Sequence, residues 1–404
     1  MQETKGKRSE RDKWSLAMVF VLVLGLVSLL ADIANEGTKS STGAYLGLLG
    51  ASAATIGMIS GLSELVGYGL RMVFGWITDR TGRYWTLVLI GYGINLVAVP
   101  ALALAGSWEI AFALIMFERV GRAVRGPARD AMMSHASVKV GRGWAFGLQE
   151  ALSSVGGMFG PVIMVVILTM DGTYEFGFAL LGVFALLAFV LLAYAWKLNP
   201  RPREMEGKCR RVDTMRKLPM TFWTFSIAGA FIAAGYADFP LISYHLDNGS
   251  IIEESLIPIM YALAMAADAL SALFFGKLYD KGGMKAFIVM MAVVPIFVPL
   301  IFSGDMGFLF LGMVFYGIGF GAQESIMRAM VADLAPYCRR GSAFGYYNAL
   351  FGVSWFLGSM AIGLLYDISL VMMVVLSMSL QLAAIPFLIK VRRELRWTPR
   401  GEEA

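Results

Sequence analysis

The stretch Phe117–Asp130, FERVGRAVRGPARD, continues an apolar run from Trp108 to Met116, yet it carries Glu118, Arg119, Arg122, Arg125, Arg129 and Asp130. A charge at a bilayer centre costs several kcal/mol, so such a helix cannot face lipid. At about 100° per residue, Glu118, Arg122, Arg125 and Arg129 share one narrow stripe, with Arg119 and Asp130 on its flank. The stripe must face water or other helices, and that demands a bundle with a polar interior.

The rest of the chain supplies the bundle. Of 404 residues 58% are hydrophobic and only 16% charged, and the mean hydropathy is +0.67, too apolar for a soluble domain of this size. Hydropathy gives twelve spans of about 20 residues or more. They fall at 14–37, 51–77, 84–105, 109–131, 144–170, 175–198, 219–245, 253–278, 285–304, 308–333, 342–366 and 369–390. The expected class is therefore an all-α polytopic membrane protein.

Basic residues collect on one side: the tail with Lys5, Lys7, Arg8, Arg11 and Lys13, and the loops with Arg80 and Arg83, Lys139 and Arg142, Lys281 and Lys285, and Arg339 and Arg340. Arg392, Arg393 and Arg396 join them, and by the positive-inside bias that side is cytoplasmic, with both termini. The net charge of +5 is thus spread over short loops and argues against nucleic-acid binding. Residues 1–13 are polar and basic with no cleavable leader evident, and 391–404 form the opposite tail. Residues 199–218, rich in Arg and Lys, are expected to link two six-helix halves, 14–198 and 219–390. Cys209 and Cys338 lack metal or redox spacing and are expected to be free thiols.

The halves echo each other. Gly75-Trp-Ile-Thr-Asp79-Arg80-Thr-Gly82-Arg83 returns as Gly276-Lys-Leu-Tyr-Asp280-Lys-Gly-Gly283, and Ala145-Phe146-Gly147 returns as Ala343-Phe344-Gly345. Buried charge marks function inside a membrane. It occurs in the first span (Asp32, Glu36), second (Glu64, Arg71), fourth, fifth (Glu150), seventh (Asp238), eighth (Asp268) and tenth (Glu324, Arg328), whereas the third, sixth, ninth and twelfth have none. At 1.5 Å of rise per residue Arg119 lies about 15 Å deep, near mid-bilayer. Glu64 and Asp268 reach similar depth in corresponding helices. Arg125, Arg129 and Asp130 come closer to the cytoplasmic mouth, where snorkelling or loop contacts would occupy the arginines. Asp32 and Glu36 have no obvious local base. Trp223, Tyr236, Tyr261 and Trp355 are available aromatics, and His135 and His245 have no assigned role.

The pattern G-x-x-x-D-R-x-G-R at Gly75–Arg83, with its degenerate copy at Gly276–Lys285, resembles the loop motif of the major facilitator superfamily, and twelve spans in two halves extend the resemblance over the chain. Gly156-Gly-Met-Phe-Gly160-Pro161 is similar to the core of that family's antiporter motif, although Val162 and Ile163 stand where two glycines usually follow. Arg119 with Gly121 and Ala123 is similar to the fourth-span motif of proton-coupled drug exporters. The resemblance implies the major facilitator fold: two pseudo-symmetric six-helix bundles in a prokaryotic cell membrane, functioning as a monomer among membrane lipids. Asp79 is expected to face the start of the eleventh span and to bond a fourth-span arginine such as Arg129. Gly156 and Gly160 would pack the fifth span against a partner such as the eighth, and Pro161 would bend it.

The implied activity is secondary transport by alternating access, with small amphipathic or cationic compounds exported in exchange for protons. Asp32, Glu36, Glu64, Glu118, Arg119, Arg122, Glu150, Asp238, Asp268 and Glu324 form the expected substrate and proton pathway. One alternative is transport of an organic anion or phosphorylated metabolite held by the fourth-span arginines. Another is a lipid or solute flippase of the same fold. No Ser/His/Asp set, HExxH or Walker loop suggests an enzyme, and neither a metal nor an organic cofactor is expected.

Overall fold

The computed structural model describes residues 2–51, 53–138, 140–170, 172–200, 217–248, 252 and 257–395. Among them the regular structure is helical, and twelve spans are seen in the predicted order. The spans are Gln2–Leu48, Ala53–Thr81, Tyr84–Ala101, Trp108–Ala136, Arg142–Thr169, Tyr174–Leu198, Met220–Asn248, Ile257–Gly282, Met284–Ile301, Met306–Leu334, Arg340–Ile368 and Leu370–Glu394. The seventh is broken after Gly235 and resumes at Phe239, and the ninth is interrupted by a tight turn at Val294–Ile296. Among the described residues ten segments are long and apolar enough to cross a bilayer on their own. The second and fourth are not among the ten, and both carry charge within their apolar runs.

The first helix continues well past the expected end at residue 37. Its polar stretch satisfies its hydroxyls without leaving the helix: Thr38 donates to the Ala34 carbonyl at 2.8 Å, and Thr42 to that of Thr38 at 2.7 Å. The second–third and eighth–ninth connections turn on Gly82 and Gly283, at φ 64° and 60°, a backbone region that favours glycine. The repeated motif is thus repeated geometry.

Close helix approach depends on small residues. A Cβ on Gly75 would overlap the Gly341 carbonyl, and one on Gly276 would overlap that of Gly143, so the second span is pressed on the eleventh and the eighth on the fifth. These two contacts join the first six spans to the last six. Gly156 and Gly160 behave otherwise than expected. They meet the Leu29 and Ile33 carbonyls of the first span, while Gly143 and Gly147 meet the eighth. The fifth span lies between both neighbours, and its two ends divide them.

The third, sixth, ninth and twelfth spans turn Val97, Val190, Val289 and Val375 outward, as a lipid-facing surface requires. Cys338 is disulfide-bonded, which corrects the expectation of a free thiol; distant cysteines carry no pairing signal in sequence. Cys209, Lys139 and most of the expected linker lie outside the described residues.

Candidate functional site

A cavity of about 400 Å³ occupies the centre of the bundle. It is lined by the first, second, fourth, fifth, seventh, eighth, tenth and eleventh spans and by none of the four charge-free spans. The stripe of the fourth helix lies here. Pro127 occurs inside that helix, which runs unbroken to Ala136.

The arginines are mostly claimed by carboxylates. Arg122 donates to Glu118 at 2.6 Å and reaches Glu36 of the first span at 3.4 Å. Arg119 lies 3.6 Å from the other Glu118 oxygen. Glu118 does not itself line the cavity; it holds two arginines in place. In the tenth span Arg328 pairs with Glu324 and, at 3.1 Å, with Glu150 of the fifth. Arg125 is stacked over the Tyr92 ring, 4.1 Å from its centroid.

Two expectations about this helix are corrected. Arg129 pairs with Asp130 at 3.1 Å, bonds Ser28, and lines the cavity instead of reaching Asp79; Arg125 and Asp130 line it too. The expectation that snorkelling or loop contacts occupy Arg125 and Arg129 therefore fails, because the cavity runs further along the helix than depth alone implies. Glu36 has Arg122 as its base, which one-helix arithmetic cannot reveal.

Asp32 accepts from the Ser153 hydroxyl, and Asp238, at the break in the seventh span, accepts from Trp355 Nε1 and the Ser359 hydroxyl. Asp268 is only 1% exposed. Its Oδ2 accepts from Ser154 at 2.7 Å, its Oδ1 is buried without a hydrogen bond, and among the described residues no cation pairs with it. Glu64 lies in the second helix, but its side chain is outside the described set.

The lining also carries aromatic side chains, Tyr261, Tyr316, Phe320, Tyr347, Phe351 and Trp355. Trp223 and Tyr236 do not line the cavity, contrary to expectation. Tyr236 is fully buried behind it, bonded to the Tyr316 carbonyl.

Paired contacts between helices lie on the face that carries the repeated motif. Asp79 accepts from the backbone N–H groups of Gly341 at 2.8 Å and Ser342 at 2.5 Å, at the start of the eleventh span. Asp280 accepts from those of Gly143 at 2.8 Å and Trp144 at 2.7 Å, at the start of the fifth. A carboxylate at a helix N-terminus is stabilised by unpaired N–H groups and by the dipole. Arg80 lies over Trp76 at 4.9 Å, and Arg83 stays exposed at the turn.

A second layer escaped the sequence reading. Arg142 pairs with Asp333, which Tyr279 also holds at 2.6 Å, and Arg340 contacts Nδ1 of the buried His135 at 3.1 Å. The interval that carries Ala145 to Ala343 also carries Arg142 to Arg340 and His135 to Asp333. That interval was the available signal, since it marks these four as equivalent corners of one layer of contacts.

The family model described as Major Facilitator Superfamily matches residues 14–302 and 220–404. An uncharacterized protein of Mycobacterium tuberculosis is 37% identical over 380 residues, covering 92% of this chain and 93% of that protein. An uncharacterized MFS-type transporter of Methanocaldococcus jannaschii is 26% identical over 374 residues, 90% of this chain and 92% of its own. The crystal structure of a bacterial homologue of the iron transporter ferroportin, in an outward-facing state, superposes with a TM-score of 0.72 at 14% identity, covering 93% of this chain and 99% of that one.

Proposed function

The chain belongs to the Major Facilitator Superfamily of transporters, and we propose that it exports small amphipathic compounds with a basic centre in exchange for protons. The observation that carries this reading is Asp268, buried against the cavity with one oxygen unbonded and no cation paired with it among the described residues. Closing the bundle around an ionised, uncompensated carboxylate costs several kcal/mol. Either a proton or the basic centre of a substrate removes that cost. Both cannot occupy the same oxygen, so the carrier moves one in each direction. This competition supports exchange better than Gly156 and Gly160 do, because those glycines are accounted for by packing on the first span.

In the proposed cycle the motif face is cytoplasmic, as its basic loops suggest, and both termini lie on that side of a prokaryotic plasma membrane. The Asp79 and Asp280 contacts hold that face shut while the cavity is served from outside. Each carboxylate must leave its helix terminus before the site can face the cytoplasm. A single chain carries the whole cavity, and the outward valines lie in lipid. The anion reading based on the fourth-span arginines is the weaker one, because Arg119, Arg122 and Arg129 already hold carboxylates.

The test is transport in reconstituted vesicles under an imposed pH gradient, with 4-ethylbenzyltrimethylammonium as the probe. This fixed cation does not cross lipid as a neutral amine. It should accumulate on the acidic side, and Asp268→Asn should abolish that accumulation and make binding insensitive to pH. Full gradient-driven accumulation in Asp268→Asn would reject the assignment.

A further inference from the structure

Arg71 belongs to neither the paired arginines nor the seal. It lies on the second span, lines the cavity, and stands over Tyr68 at 4.6 Å from the ring centroid. Its Nε is buried without a hydrogen bond, and among the described residues no carboxylate is within ion-pair range. Arg119 and Glu150 also have a buried unbonded atom, but each has an ion-pair partner. Arg71 and Asp268 are the charged lining groups that combine an unbonded buried atom with no ion pair among the described residues. They are of opposite sign.

A partly buried guanidinium with no ion-pair partner among the described residues is costly, and its fork of donors matches a carboxylate, phosphate or sulfonate. Space and field both favour such a guest. Gly126 of the fourth span faces Arg71, with its ideal Cβ position 3.8 Å from Nε, so a small residue leaves the approach open. Asp130, the nearby acid on that helix, is held by Arg129 at 3.1 Å. Tyr68, the platform under Arg71, packs on Gly352 of the eleventh span. From there the aromatic wall continues through Phe351 to Trp355, with ring centroids 5.6 Å apart, and on to Phe320 at 6.1 Å. A cationic seat, an apolar wall and an acidic seat thus share one cavity.

We propose that Arg71 seats an anionic oxygen group of the substrate, so that the compound carried is an amphipathic zwitterion: anionic group on Arg71, apolar body along the eleventh and tenth spans, basic centre at Asp268. The assignment rests on the exchange reading above, which supplies the basic centre. It also moves the anion seat from the fourth span, where carboxylates compete, to the second.

The test uses the purified full chain and a matched probe series. The zwitterions are benzyltrimethylammonium bearing a para carboxylate, carboxymethyl or carboxyethyl group. 4-Ethylbenzyltrimethylammonium lacks the anion, and 4-neopentylphenylacetate lacks the cation. Calorimetric titration should show one zwitterion length binding at least about tenfold tighter than either control, as expected for a charge-assisted bond to a guanidinium shielded in the cavity. Arg71→Gln should remove the zwitterion's advantage over the cation; cation binding, retained or tightened because a positive charge has left the cavity, also reports folding. Arg71→Lys, which keeps the charge without the fork, should retain part of the advantage and serves if the glutamine variant does not fold.

Equal affinity of cation and zwitterions at all three lengths overturns the proposal, as does an advantage that survives Arg71→Gln or an absence of zwitterion binding. The two readings fail separately. If the cation responds to the pH gradient but no zwitterion is preferred, the Arg71 seat is wrong and exchange stands; Arg71-dependent binding with no gradient-driven movement of any probe leaves the seat and removes the exchange.

Discussion

Arg328 illustrates how charge is tolerated inside this molecule. Its guanidinium joins Glu324 one turn earlier on its own helix to Glu150 on the fifth, and so ties the two halves at the cavity wall. With Glu150 and Glu324 both close by, removing the arginine leaves two carboxylates near one another in a poorly solvated place. We expect Arg328→Gln to destabilise the purified protein by roughly 2–4 kcal/mol, read as a loss of thermal midpoint in detergent. Adding Glu150→Gln should recover part of that loss, because the second change removes one stranded charge. A double variant no more stable than the single one would show that the ion pair carries no coupling. The i, i+4 spacing made Glu324–Arg328 legible in sequence. The third member was not, since nothing in the chain order places Glu150 beside them.

The fifth helix shows what a single element can be asked to do. Its motif-face end presents Gly143 and Gly147 to the eighth span, and its other end presents Gly156 and Gly160 to the first. Between them Ser153 and Ser154 bond Asp32 and Asp268 on those same two neighbours. The element is thus a spacer between halves and a polar bridge across the cavity. Gly147→Val would drive its side chain into the Ala272 carbonyl. That overlap should part the fifth and eighth helices, cost on the order of 2 kcal/mol, and lower transport even though no charged group is touched. Gly157→Ala, on the same helix, would meet Glu36 Cγ at an ordinary 3.7 Å and should be nearly silent. Equal damage from the two substitutions, measured as thermal midpoint and transport rate, would refute this account of the helix.

At the scale of the molecule, the two carboxylate contacts and the two arginine contacts beside them form pseudo-symmetric pairs on one face, which the proposed cycle uses as its seal. Charge-assisted bonds to backbone donors contribute about 1.5–3 kcal/mol each when shielded, so losing one carboxylate biases the equilibrium and losing both should reverse it. Asp79→Asn with Asp280→Asn is expected to leave the protein folded and to open the motif face, seen as a longer spin–spin distance between labels on the second–third and tenth–eleventh loops. Each single variant should give an intermediate population. An unchanged distance distribution in the double variant would mean that the seal depends on glycine packing alone.

The sequence by itself determined that the chain is a twelve-span bundle with repeated halves, which spans carry no charge and stay out of the polar interior, and that Asp79 and Asp280 occupy equivalent turns. These follow from hydropathy, from the absence of charge in every third span, and from a repeated motif, all of which are properties of the chain read in order. Only the tertiary structure decided which charges are neutralised: that Arg122 answers Glu36, that Arg129 turns to Asp130, and that Asp268 and Arg71 have no ion-pair partner among the described residues. Periodicity places a side chain on a face of its own helix. The free energy of a buried charge is set by what stands a few ångströms away on another helix, and that distance exists only once the bundle has packed.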